Sequence, residues 1–149
     1  MRRRGVCYDV GQVMRGRDHS PAETLDYLTE AARRAGALHD LSPAKVVLSV
    51  GSESTLFMAG IVEGTTVFER LEHPRFWERV RAGAHNGPLN AFLAQAVERA
   101  RASFAGPVTY ASVPLETVDW ARFDFVSVDL YRDARIREQF FYKAHATAA

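Results

Sequence analysis

The architecture of this chain is most clearly indicated by the segment Val46-Val47-Leu48-Ser49-Val50-Gly51-Ser52-Glu53. Its first five residues are mostly apolar and β-branched, which is typical of a strand buried on both faces of a sheet. Gly51 ends this run and lets the backbone turn, and Glu53 follows at once. The segment therefore predicts an interior strand, in a sheet covered by helices, with a carboxyl group just past its end.

Glu53 stands where α/β proteins commonly carry their chemistry. Ligands bind at the carboxyl ends of parallel strands. Burial raises the pKa of a carboxyl group towards neutrality, where the group can exchange protons with a substrate. We therefore predict that Glu53 is a general acid or base. The alternative is a solvated loop glutamate that caps a nearby helix.

Strands and helices alternate along the rest of the chain. Apolar residues recurring at three- and four-residue steps predict the helices, and capping boxes mark two of their starts, at Ser20-Pro21-Ala22-Glu23 and at Thr66-Val67-Phe68-Glu69. Further strands are predicted at 5–11, 108–111 and 125–131, and a last helix at 135–145. This order predicts a single α/β domain over residues 1–149, with a mostly parallel sheet of about four strands and helices packed on it.

Two helical regions have a predicted buried face. One begins at Asn86-Gly87-Pro88 and points its apolar residues to the core, namely Leu89, Phe92, Leu93, Ala96, Val97, Ala100 and Phe104. The other is divided by Pro74 into two pieces, and its predicted apolar face consists of Phe68, Leu71, Phe76, Trp77 and Val80.

Composition limits the classes of function. Lys and Arg total 19 and Asp and Glu total 18, so the chain lacks the basic excess of nucleic-acid binders, and the Arg2-Arg3-Arg4 run is interpreted as a solvated end. Cys7 is the only cysteine, which suits a reducing cytoplasm. No apolar run has the length of a membrane span, and no apolar segment of a secretory signal follows the arginines.

The five histidines are spread singly, without the spacing of zinc ligands, and no glycine-rich phosphate loop is present. We therefore predict neither a metal nor a cofactor. Asp9, Asp129 and Asp133 have oxygen ligands suited to a divalent cation, but no spacing motif supports one, and capping or ion pairs with Arg132 and Arg135 are the better interpretation.

Several segments resemble actinobacterial proteins of the abortive infection family, which look like (β/α)₈ barrels related to retaining glycosidases. The matching segments are Gly5-Val6-Cys7-Tyr8-Asp9-Val10-Gly11, Val50-Gly51-Ser52-Glu53-Ser54-Thr55-Leu56-Phe57-Met58-Ala59-Gly60, Leu89-Asn90-Ala91-Phe92-Leu93, Gly106-Pro107-Val108-Thr109-Tyr110-Ala111 and Val128-Asp129-Leu130-Tyr131-Arg132-Asp133.

The resemblance implies a role for each predicted strand. Residues 46–53 look like the fourth barrel strand, which in such glycosidases ends in the acid/base glutamate, here Glu53. Residues 5–10, 108–111 and 125–131 look like the first, fifth and sixth strands. The resemblance thereby implies a carbohydrate or other small-molecule ligand, with a pocket lined by Asp9, Tyr110, Asp129 and Tyr131.

The chain departs from this family in two respects. Ser52 stands where the asparagine before the acid/base glutamate is usual. A full barrel needs about 250 residues, and segments resembling the second, third and seventh strands are missing, including the one that would carry the nucleophile. A retaining glycosidase needs two carboxyl groups about 5 Å apart, and Asp9 or Asp129 would have to stand near Glu53. The chain therefore resembles a shortened, partial (β/α) barrel.

Two main functions and two assemblies are consistent with the sequence; a third function, a nucleic-acid-acting defence protein, rests on the family resemblance and the Arg2-Arg3-Arg4 run alone and ranks below both. The first function is glycoside-hydrolase-like chemistry with Glu53 as general acid/base; the alternative is a non-catalytic relative that binds a small molecule or associates with itself. Four strands leave either an open sheet with exposed edges or a homodimer of two half-barrels.

Overall fold

A computed structural model describes residues 19–41 and 46–130 of the chain. Its elements are α1 (Pro21–Leu41), β1 (Leu48–Ser52), α2 (Ser54–Phe57), α3 (Val67–Glu72), α4 (Phe76–Arg81), α5 (Asn86–Arg101), β2 (Val108–Ser112), a 3-10 turn (Trp120–Arg122) and β3 (Ser127–Val128). The predicted strand at 5–11 and the predicted helix at 135–145 lie outside the described residues, as do Asp9 and Tyr131.

The described strands form one parallel sheet in the order β1-β2-β3. This confirms an α/β fold with a parallel sheet. The described part of the chain contains three strands of the four predicted. Strands that are consecutive in the chain are neighbours in the sheet. Because they are parallel, the chain between each pair returns from the carboxyl end of one strand to the amino end of the next.

The bounds predicted for β1 were wrong at both ends. The strand begins at Leu48, whose N–H donates to Pro107 C=O at 3.0 Å, whereas Val47 is 43% exposed. It continues through Gly51 instead of ending there. A Cβ on Gly51 would lie 3.3 Å from the Tyr110 ring, so the glycine serves the packing of that ring within the sheet.

β1 contains an irregularity beside this glycine. Ser49 pairs with Thr109, but Ser52 pairs with Ala111. Between these two pairs, β1 therefore contains one residue more than β2. An extra residue in one strand bends it and re-aims the side chains that follow. The irregularity therefore lies directly before Glu53.

α1 and α5 provide the largest described helical surfaces of the core. α1 begins with the predicted capping box, in which Ser20 N–H donates to Glu23 Oε2 at 2.9 Å. The turn that follows α5 lies so close to α1 that a Cβ on Gly36 would be 2.2 Å from Ser103 O. The predicted face of α5 is confirmed, because its six named helical residues are buried with Leu25, Leu28, Leu48, Val50 and Val108. The seventh, Phe104, is also buried but lies in the turn after the helix.

The prediction for the region around Pro74 was only partly right. The chain is divided there into α3 and α4, and Thr66 Oγ1 caps α3 by accepting from Glu69 N–H at 3.2 Å. Phe76 and Val80 are buried, but Phe68, Leu71 and Trp77 are exposed, Phe68 to 71%. Each helix has only six residues, so the two do not share one continuous face.

None of the helices in the described ranges is both long enough and apolar enough to cross a bilayer.

Candidate active site at the carboxyl edge of the sheet

Glu53 follows β1 directly and is only 5% exposed. Its backbone is left-handed, with φ 46° and ψ 41°, and within the described ranges it is the single non-glycine residue with positive φ. This conformation costs an L-residue roughly 1–2 kcal/mol, because Cβ approaches the following carbonyl oxygen. Backbone strain of this kind clusters at functional sites.

Three consecutive peptide N–H groups hold the turn that carries Glu53, and each donates to β2 or to the loop after it. The N–H of Glu53 donates to Ala111 C=O at 2.9 Å, that of Ser54 to Tyr110 Oη at 2.7 Å, and that of Thr55 to Glu116 Oε1 at 3.0 Å. The left-handed backbone is therefore fixed from the neighbouring strand.

The turn is also closed on its own side. The carbonyl of Glu53 accepts from Leu56 N–H at 2.8 Å and from Phe57 N–H at 3.0 Å, which starts α2. Glu53 thus stands between the last residue of a strand and the first turn of a helix, with both of its backbone polar groups satisfied.

Tyr110 is fully buried in β2, and its hydroxyl is used twice. It accepts from Ser54 N–H, and it donates to Glu116, whose two carboxyl oxygens both lie 3.0 Å away. Burial, together with the charge of Glu116, raises the pKa of this hydroxyl far above its ordinary value. The hydroxyl therefore keeps its proton and acts as a donor. Tyr110 therefore holds the turn after β1 through the hydrogen bond between its hydroxyl and Ser54 N–H, while its ring is buried in the core.

Glu116 is a residue of this edge that the sequence analysis did not identify. Its Oε1 accepts from Thr55 N–H, and its Oε2 accepts from Val113 N–H at 3.2 Å, in addition to the Tyr110 contact. Its position four residues after β2 places it at the carboxyl edge, like Glu53 after β1. That position was the available signal.

The loop that carries Glu116 is tethered to the start of α5. His85 Nε2 lies 2.8 Å from Leu115 C=O; because a carbonyl only accepts, Nε2 carries the proton. Asn86 Oδ1 accepts from Thr117 N–H at 2.9 Å, and Asn90 binds the same loop through both ends of its amide, accepting from Asp119 N–H and donating to Thr117 C=O. These bonds fix the loop against the helix.

Asp129 follows β3 and completes the edge. Its Oδ2 accepts from Ser52 Oγ at 2.9 Å, and its N–H donates to Ser112 C=O at 2.7 Å. Thr55 lies on the same edge, and its Oγ1 is fully buried without a hydrogen-bond partner. A buried hydroxyl without a partner costs free energy, so a ligand with a polar group beside Thr55 Oγ1 would gain a hydrogen bond there.

Of the predicted site residues, Glu53, Tyr110 and Asp129 lie at one carboxyl edge, linked through Ser52, Ser54 and Glu116. Asp9 and Tyr131 fall outside the described ranges. Among residues 19–41 and 46–130, no three His, Cys, Asp or Glu side chains are grouped in a way that would hold a metal ion.

A separate surface cleft of about 300 Å³ lies beside α4, lined by Gly60, Ile61, Val62, Glu63, Arg79 and Ala84. Glu63 Oε2 and the Arg79 guanidinium face each other across it at 2.8 Å. These charges neutralise one another, so the cleft offers no unbalanced group comparable with the carboxyl edge.

Comparison of the chain with protein-family models and with curated proteins finds no match.

Proposed function

We propose that this protein is a glycoside-hydrolase-like hydrolase in which Glu53 acts as the general acid/base. The observation that carries the proposal is the placement of Glu53: a buried residue, in a left-handed conformation, directly after a parallel strand whose residues are largely buried. Neighbouring residues hold this conformation through three successive N–H groups, so its free-energy cost is met by the surrounding structure.

The chemistry follows from what a buried carboxyl group does. Protonated, Glu53 would donate its proton to the leaving-group oxygen as the glycosidic bond breaks. Deprotonated, it would take a proton from the attacking water.

Asp129 is the second carboxyl group of the proposed site. It directly follows the third described strand, and its Oδ2 accepts from Ser52 Oγ. Glu116 is unsuited to this role because Tyr110 and two backbone N–H groups bind its carboxyl group. We propose Asp129, with Asp9 and Tyr131 from the sequence, as residues that line the substrate pocket.

A second candidate function is a non-catalytic module that binds a carbohydrate or another small molecule, or associates with itself. The engagement of Glu116 by three donors favours it. A retaining hydrolase needs a second reactive carboxyl group beside the acid/base, and of Glu116 and Asp129, which both follow strands at this edge, these bonds occupy Glu116. Self-association would follow if two half-barrels pair into eight strands. A single mass of 16.6 kDa by light scattering at micromolar concentration would exclude the dimer. A cytoplasmic location remains a prediction from the sequence.

The test is hydrolysis of aryl glycosides that differ in leaving group, by the wild-type protein and by Glu53→Gln. A general acid contributes about 10²–10⁴-fold, so the variant should lose about that factor with a poor leaving group such as phenol. With dinitrophenol, which departs without protonation, the loss should be much smaller. Equal losses for all leaving groups, or none, would remove Glu53 from this role.

Asn substituted for Asp26, an exposed carboxyl on α1, is the matched control. This variant removes a charge of the same kind far from the carboxyl edge and should keep the wild-type rates. If the wild-type protein hydrolyses no member of the panel but binds glycosides by calorimetry, the binding module replaces the hydrolase.

A further inference from the structure

We propose that Glu116 and Tyr110 form a positioning pair, which sets the direction of the Glu53 side chain through the two peptide groups that follow it. The inference rests on the proposed function, because it assigns a role to residues that support the proposed acid/base. Neither residue is a catalytic residue in this proposal, since each acts through the backbone of residues 54 and 55.

The first support is the geometry of the contacts. Tyr110 Oη accepts from Ser54 N–H at 2.7 Å, and Glu116 Oε1 accepts from Thr55 N–H at 3.0 Å, so adjacent peptide groups are held by two side chains that are themselves bonded. The peptide planes on either side of a left-handed residue determine where its Cβ points. The bond to Tyr110 holds the peptide plane after Glu53, the bond from Glu53 N–H to Ala111 C=O holds the plane before it, and the bond to Glu116 fixes the next peptide group, so together they hold the direction of the Glu53 Cβ.

The second support is the restraint on the pair itself. Tyr110 is fully buried, and the missing Cβ of Gly51 leaves room for its ring 3.3 Å away. Glu116 is fixed by Val113 N–H, and the preceding residue, Leu115, is bound by the buried imidazole of His85 at 2.8 Å. Neither member can swing away without breaking several bonds, which a positioning group requires.

The third support is that the N–H groups at the start of α2 are bound by side chains distant in sequence and not by a neighbouring cap residue. Helix N-terminal N–H groups are commonly capped by a Ser, Thr, Asp or Asn side chain close in sequence. Here the N–H groups of Ser54 and Thr55 are bound by residues 56 and 61 positions away, and Glu53 makes no side-chain cap bond. The Glu53 carboxyl is thereby kept out of the capping role that the sequence analysis gave as its alternative.

The experiment uses the full-length chain and three variants, Glu116→Gln, Tyr110→Phe and Val97→Ala. Val97 lies in the core on α5, away from the turn, so its truncation controls for a general loss of stability. Two readouts are measured for each variant: NMR titration of the Glu53 side-chain carboxyl carbon, with the amide shifts of residues 53–55, and the pH profile of kcat and KM on the aryl glycosides.

Glu116→Gln and Tyr110→Phe should displace the amide resonances of residues 54 and 55 and shift the Glu53 titration, while Val97→Ala leaves both in place. On the glycosides, kcat should fall about 10- to 100-fold with little change in KM, and the pH profile should move, because a misdirected proton donor weakens the chemical step and leaves binding alone. Glutamine keeps one acceptor oxygen, so Glu116→Gln should be milder than a Glu116→Ala variant.

If both substitutions leave the Glu53 titration and the amide shifts as they are in Val97→Ala, the positioning role is overturned. If Tyr110→Phe fails to fold, Glu116→Gln carries the same readout, since Glu116 is only half-buried. A wild-type protein that hydrolyses no glycoside refutes the proposed function, and the NMR titration then still decides whether the pair sets the state of Glu53.

Discussion

Ser52 Oγ donates a hydrogen bond of 2.9 Å to Asp129 Oδ2. Ser52 is the last residue of β1 and Asp129 follows β3, and β2 lies between these two strands. Strands in a sheet are about 4.8 Å apart, so a direct bond between the first and third strands requires both side chains to lean over the end of the second. The bond therefore ties Asp129 to Ser52, the residue that directly precedes Glu53.

The left-handed backbone of Glu53 leads to a prediction about stability. Glu53→Gly should be more stable than Glu53→Ala by about 1 kcal/mol, because glycine adopts positive φ without the steric penalty that alanine pays there. Both variants lose the carboxyl group, so their difference isolates the backbone term. Urea unfolding of the two proteins measures it, and equal midpoints with equal slopes would mean that the turn is not strained.

Arg70 leads to a second prediction. This arginine is fully buried on α3, and its guanidinium donates to Leu56 C=O, at the end of the first turn after Glu53, and to Gly64 C=O at 3.0 Å. Arg70→Met should lower the free energy of unfolding by about 3 kcal/mol, because buried carbonyl groups lose charged donors. Arg33→Met removes an arginine that is 66% exposed and should change stability by about 0.5 kcal/mol or less. Chemical denaturation compares them, and a similar loss in both would contradict the structural role of Arg70.

Asp124 leads to a prediction about pH. Its Oδ2 accepts from Val108 N–H at 2.7 Å, where β2 begins, and that hydrogen bond, aided by one from Arg101, lowers the pKa of its carboxyl group. A folded-state pKa below the unfolded value of about 3.9 stabilises the protein above that pH, and the contribution is lost as the pH falls through the folded-state value.

Asp124→Asn should therefore be less stable than the wild-type protein at pH 7, because an amide is a weaker acceptor than a carboxylate. The gap should narrow as the pH falls below about 4. Unfolding curves of both proteins at pH 7 and pH 3 measure it. A gap that stays constant between these pH values would show that the charge of Asp124 contributes nothing.

The elements that were predictable from the sequence are those whose pattern determines their burial. Leu89, Phe92 and Leu93 recur at helical spacing in α5, and the one face that this spacing creates is the buried face. Leu48 and Val50 alternate with the half-buried Ser49, and both apolar side chains are buried in the strand. In both cases local order along the chain already contains the information.

The errors occurred where distant parts of the chain decide. Phe68 and Trp77 are as apolar as the residues of α5, but α3 and α4 have six residues each and leave them exposed. The side chain that α3 buries is the charged Arg70. Gly51 was interpreted as the end of a strand, whereas its lack of Cβ serves the ring of Tyr110, 59 positions later. Glu116 was missed as a site residue for the same reason, since its partner Thr55 is 61 positions away.

The bonds from Asn86 and Asn90 to the loop after β2 have a mechanical consequence. The first turns of α5 bind that loop through Asn86 and Asn90, and the loop binds Thr55 N–H, beyond Glu53, through Glu116. These hydrogen bonds are between 2.8 and 3.0 Å long. A displacement of the amino-terminal end of α5 would therefore be transmitted through the loop to the backbone that carries Glu53.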